Sequence, residues 1–164
     1  MKKVGILMGS DSDLPIVEKA ITTLKDFSVP YEVHVYSAHR TPLQVREFTE
    51  NARSNDFGVI IAAAGKAAHL AGAVAACTTL PVIGLPVKSS TLDGLDALLS
   101  TVQMPSGIPV ATVAIDGAAN AALLAMQILS VSDSDLASKL DEQRKSAASK
   151  VLDADSSVSE KYNI

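Results

Sequence analysis

Short apolar runs rich in β-branched residues alternate with helical patterns along the whole chain, and that alternation leaves few folds open. Val4–Met8 predicts a buried strand, followed by the turn Gly9-Ser10-Asp11-Ser12-Asp13. A helix is predicted from there, with Asp13 as its N-cap and Pro15 in its first turn. Ile16, Val17, Ala20, Ile21 and Leu24 then keep helical spacing. A second strand is predicted over 31–36, leading into Ser37-Ala38-His39-Arg40, and Thr41-Pro42 opens a helix to about Ser54. The run 57–64 is apolar throughout, as expected of a strand covered on both faces. Gly65-Lys66-Ala67-Ala68-His69 and a small-residue helix to about Ala76 come next.

Strands are further predicted over 81–85 and 109–115, with a helix over 93–102 between them. The segment 117–129 is apolar nearly all round and is expected to be buried on more than one side, partly against another subunit. Asp133-Ser134-Asp135 is expected to cap a final amphipathic helix to about Leu152. The organisation read from this is one α/β domain over 1–152, C-terminal helix included, then a polar tail over 153–164. Strands joined by helices of this length imply a parallel sheet with right-handed crossovers and helices on both faces, and flavodoxin-like strand order is the economical choice.

Composition excludes several classes. The chain has 164 residues, 48% hydrophobic and 20% charged, with net charge -4 and no basic run, so a nucleic-acid face is not expected. No stretch approaches the ~20 apolar residues that span a bilayer. The opening apolar run is too short for a signal peptide, and Cys77 is the single cysteine. A cytoplasmic protein without membrane or nucleic-acid partners is expected. Three His and one Cys without close ligand spacing give no convincing metal site. With no Trp, three Tyr and three Phe, little is available to stack a flat cofactor such as the flavin of an electron carrier. A phospho-receiver domain needs an Asp where strand three ends Ala62-Ala63-Ala64.

In a parallel sheet, the loops leaving the carboxyl ends of the strands gather at one edge, where ligands bind. The polar clusters fall in those loops: Gly9–Asp13, Ser37–Arg40, Gly65–His69 and Lys88-Ser89-Ser90. The first offers backbone N–H groups, hydroxyls and a helix N-terminus to a phosphate, while its acidic residues suit a hydroxyl donor such as ribose. The same residues serve equally as a plain turn and cap. Arg40 can pair with a phosphate at two points, or stand as a solvated surface charge. His39 and His69, brought in from different strand ends, are candidates for acid–base work. His34, mid-strand beside Glu32 and Tyr36, reads as structural, and Cys77 as a small core hydrophobe.

Taken together, Met8–Asp13, Ser37-Ala38-His39-Arg40-Thr41-Pro42, Ala68-His69-Leu70, Leu80–Gly84, Val102–Gly107 and Asn120–Leu124 resemble the PurE family, specifically its class I mutases. The motifs keep family order to about Arg144. The resemblance implies a three-layer α/β/α fold, a homo-octamer, no cofactor, and a small ribonucleotide substrate. The implied reaction interconverts 5-(carboxyamino)imidazole ribonucleotide and 4-carboxy-5-aminoimidazole ribonucleotide. It implies Ser10, Asp13 and Arg40 as substrate-binding positions, with Gly9, Ser12, Ser37, Gly65, Lys66 and Ala67 completing the pocket. His39 is similar to the family's acid–base histidine, and His69 to a second active-site histidine. Lys66 and Ala71 stand where many members have Gly and Pro, and the Asp116-Gly117 turn is shorter than is common. Lys66 is placed either to reach a carboxylate or to face solvent.

Overall fold

The computed structural model describes residues 1–163. Its sheet is built from β1 (Lys3–Met8), β2 (Tyr31–Val35), β3 (Phe57–Gly65), β4 (Val82–Val87) and β5 (Ala111–Thr112), in the order β2-β1-β3-β4-β5. Every pairing is parallel, so the strand order and direction are those of the flavodoxin-like α/β class. The linking helices are α1 (Leu14–Asp26), α2 (Pro42–Asn51), α3 (Leu70–Ala75), α4 (Leu95–Val102) and α5 (Ala118–Ser130), followed by α6 (Ser134–Tyr162).

Alternation along the strands divides the core in two. Val4, Ile6 and Met8 of β1, with Val59, Ile61 and Ala63 of β3, face a layer made by α1, α5 and the start of α6. Leu7, Ile60 and Ala62 face the layer that contains α2 and α3. On α5 the buried residues are Ala118, Ala121, Ala122, Ala125, Met126 and Leu129, one stripe at helical spacing. Its small side chains let α5 lie close to the sheet and to α1. Leu123, Leu124 and Ile128 are half-buried against the same cluster, so the chain's own elements cover much of the helix expected to need a partner. The larger uncovered apolar surface lies elsewhere, as Leu92, Leu95, Leu99 and Val102 at and along α4.

Three expectations about element bounds and the first helix cap change. The fifth strand shrinks to two paired residues, because Pro109 has no N–H for a ladder and β5 is an edge strand with one neighbour. The final helix does not stop near Leu152 but runs to Tyr162, so the tail assigned to 153–164 is helical over 153–162; Ile164 lies outside the described residues. Asp133 does cap it, its Oδ1 accepting from the Leu136 N–H at 3.0 Å. At the first helix the cap moves. A 3₁₀ turn over Asp11–Asp13 precedes α1 and the Ser10 side chain caps that turn, while Asp13 occupies the α1 N-cap without a side-chain cap bond.

Candidate active site

The carboxyl ends of β1, β2 and β3 lie side by side, since β1 pairs with both neighbours in parallel register. Each releases a loop whose shape is fixed by local hydrogen bonds. After β1, Gly9 N–H donates to Ala63 O at 3.1 Å, anchoring the loop to β3. Ser10 Oγ then accepts from Ser12 N–H at 3.3 Å and sits 2.9 Å from Ser12 Oγ, which gathers two hydroxyls at the first turn of α1.

After β2, Ser37 and Thr41 close a tight turn on each other. Thr41 N–H donates to Ser37 O at 2.9 Å, and Ser37 N–H donates to Thr41 Oγ1 at 2.7 Å. Thr41 therefore does not cap α2 with its side chain as expected; its hydroxyl is spent on the turn. His39 and Arg40 stand at the apex of that turn. Arg40 Nη2 donates to Gly9 O at 2.8 Å and ties the second loop to the first.

After β3, Lys66 and Ala67 bend the chain, and His69 takes the N-cap position of α3. His69 Nδ1 lies 2.7 Å from His39 Nε2, with the rings nearly perpendicular. At that distance one hydrogen lies between the two nitrogens, donated by one ring and accepted by the other. His39 Nδ1 and His69 Nε2 remain as the outward nitrogens of the pair.

Asp13 is the buried carboxyl of the site, 9% exposed. Burial pushes its pKa above the ordinary value, with Asp11 adding to the rise, while hydrogen bonds from Ser12 and at Ser10 oppose it. The two histidines, Arg40, Asp13 and the Ser10 and Ser12 hydroxyls border one cavity of about 710 Å³. Gly9, Ser10, Ser12, Asp13, Ser37, His39, Arg40, Gly65, Lys66, Ala67 and His69, the full set singled out from the sequence, line it together. A space of that size holds a small nucleotide. Among the described residues no three His, Cys, Asp or Glu side chains are grouped to hold a metal ion, and no helix is long and apolar enough to cross a membrane.

The family model described as AIR carboxylase matches residues 3–150. The chain belongs to the AIR carboxylase family. A Pyrococcus abyssi protein named N5-carboxyaminoimidazole ribonucleotide mutase is 58% identical over 145 residues, 88% of this chain and 83% of that one. A Bacillus subtilis protein of the same name is 56% identical over 153 residues, 92% and 94% of the two chains. The crystal structure of Treponema denticola PurE superimposes with a TM-score of 0.87 at 34% identity, covering 94% of this chain and 97% of that one.

In this AIR carboxylase family member the cavity also takes in residues that the sequence did not single out for the site. Lys88 and Ser89 enter from the end of β4 and Asp116 from the end of β5, with Ile16, Ala38, Ala64, Leu70 and Val87 supplying apolar wall. Lys88-Ser89 was legible as a fourth strand-end cluster. Asp116 was not, because its part depends on tertiary contact: Oδ1 accepts from Lys88 N–H at 2.8 Å and its own N–H donates to Pro86 O at 2.9 Å.

Away from the cavity, His34 stacks on Tyr36 with ring centroids 4.7 Å apart, and its Nε2 lies 2.9 Å from Glu32 Oε1. The histidine beside it is the main reason the Glu32 carboxyl falls below its ordinary pKa. Cys77 is half-buried rather than in the core, on the wall of a second cavity that includes Pro81 and Val82 at the start of β4.

Proposed function

We propose that this chain is an N5-carboxyaminoimidazole ribonucleotide mutase of purine biosynthesis, working without metal or organic cofactor. The observation that carries the reading is the His39–His69 pair bordering the same cavity as the Ser10, Asp13 and Arg40 cluster. The names borne by the Pyrococcus and Bacillus relatives support the same reaction.

In this reading the substrate phosphate sits on the Gly9–Asp13 loop, where hydroxyls, backbone N–H groups and the start of α1 favour an anion, with Arg40 beside it. Asp13 accepts from a ribose hydroxyl, which offsets the cost of its burial. The imidazole ring then lies toward the two histidines.

The chemistry needs a proton at one atom and its removal at another. The bond between the exocyclic nitrogen and its carboxylate breaks, CO2 departs, and the nitrogen takes a proton to become an amine. The aminoimidazole is an electron-rich enamine, so C4 attacks the retained CO2 and forms the new carbon–carbon bond. Loss of the C4 proton to His39 restores aromaticity, and the proton count closes. With one hydrogen shared between the rings, a proton taken at one outward nitrogen passes through the pair and leaves at the other. Holding CO2 against C4 exploits proximity, where effective molarities reach ~10⁵–10⁸ M.

The same reading places the enzyme in the cytoplasm as a homo-octamer. The exposed apolar residues along α4, with Val151, Leu152, Val158 and Tyr162 on α6, support association with further copies, and light scattering on the purified protein reads its size.

Offering the two nucleotides separately tests the reaction. The N-carboxylated nucleotide is expected to be consumed without added bicarbonate, while aminoimidazole ribonucleotide with bicarbonate is left untouched. Consumption of the second pair and not the first would identify a direct carboxylase instead.

A further inference from the structure

Three cations border the cavity, and two are engaged. Arg40 donates to Gly9 O and toward Ser37 Oγ at the phosphate end. Lys88 Nζ pairs with Asp93 Oδ1 at 3.1 Å. Lys66 is the third, and among the described residues its ammonium is in no ion pair. Its backbone is unusual for a lysine. With φ at 55° it occupies the left-handed region, which glycine enters freely and a residue with a Cβ enters at a cost. That backbone sets the lysine just past the end of β3, three residues before His69 in sequence, and its residue lines the same cavity as both histidines.

The substrate class proposed above carries two anions, a phosphate and a carboxylate, and the Ser10–Arg40 end accounts for the first. We infer that Lys66 binds the second, the carboxylate that moves between nitrogen and C4. This inference rests on the proposed reaction and adds a residue to it. An ammonium suits that role. As a compact charge on a flexible stem it can follow a carboxylate between two attachment points, where a planar guanidinium demands one geometry. It stabilises carboxylate on either atom and does not compete with the histidines for the C4 proton.

The test compares two real ligands by calorimetry, 4-carboxy-5-aminoimidazole ribonucleotide and the same nucleotide lacking the carboxyl group. In Lys66→Met, which keeps the stem and loses the charge, affinity for the carboxylated nucleotide is expected to fall about tenfold, as for loss of a charge-assisted contact, with the other ligand unchanged. Lys66→Arg should recover part of that loss, and the wild-type preference should narrow as salt is raised. An equal loss for both ligands, or no loss in Lys66→Met, overturns the assignment while leaving the mutase reading intact. A wild-type protein that binds neither nucleotide overturns the mutase reading and this one with it.

Discussion

His39 Nε2 and His69 Nδ1 approach to 2.7 Å although they arrive from the ends of different strands, 30 residues apart in sequence. A pair that shares one hydrogen behaves as a unit, and the consequence is kinetic. His39→Asn and His69→Asn should each lower turnover by ~10²–10⁴-fold, the usual contribution of a general base. Nucleotide affinity should stay within a few-fold of wild type. The double variant should be no slower than the worse single one, since parts of a unit do not add. Losses that multiply in the double variant would mean that the two rings act separately.

Arg40 joins the first two loops through Gly9 O at 2.8 Å and stands beside the proposed phosphate position. Arg40→Lys keeps the charge but loses the planar fork. KM should rise about tenfold with kcat within about twofold, because the contact serves ground state and transition state alike. Steady-state kinetics on the N-carboxylated nucleotide measures both constants.

Asp13 sets a pH dependence of stability. Burial raises its folded-state pKa, so the folded chain holds that proton to higher pH than the unfolded chain does. The corresponding stability is fully present below the ordinary value of 3.8 and is lost as pH rises through the folded-state value. At pH 7 Asp13→Asn should therefore be more stable than wild type, with the gap closing as pH falls toward 4, while nucleotide binding weakens. Urea unfolding of both proteins across that range reads the difference directly. A variant no more stable than wild type at pH 7 would contradict the assignment of burial as the dominant cause.

Gly84 on β4 is where α4 meets the sheet. A Cβ there would run into Thr101 Cγ2 and lie 3.0 Å from Val110 Cγ1 and 3.5 Å from Ala71 Cβ. Gly84→Ala should cost about 1–3 kcal/mol, as overpacking of a filled core does, visible as a lower Tm. The folded fraction should keep its kcat, since Gly84 does not border the cavity.

The strands were legible because a buried parallel sheet imposes continuous apolar runs, and β1 and β3 show them without interruption. Placing the polar clusters at strand ends then followed from topology alone, which is why the chosen site residues meet in one cavity. What escaped the sequence lacked a local signal. The reach of α6 to Tyr162 escaped because 153–162 is mostly polar and exposed, with only Val158 and Tyr162 as large apolar residues and so too few to mark a period, its serines bonding back within the helix, as Ser157 Oγ does to Asp153 O at 2.9 Å. Thr41 looked like a cap because it precedes Pro42, yet its hydroxyl answers to Ser37 four residues earlier. Asp116 gained its place through Lys88, a partner 28 residues away that only the folded sheet brings near.

A crystal structure with 4-carboxy-5-aminoimidazole ribonucleotide bound would show whether the cavity holds the nucleotide against the histidine pair. The phosphate is expected against Ser10, Ser12 and Arg40, a ribose hydroxyl on Asp13, and C4 with its carboxyl group within hydrogen-bonding reach of the His39–His69 pair. A nucleotide seated elsewhere, or seated here with its imidazole ring turned away from both histidines, would contradict the proposed function.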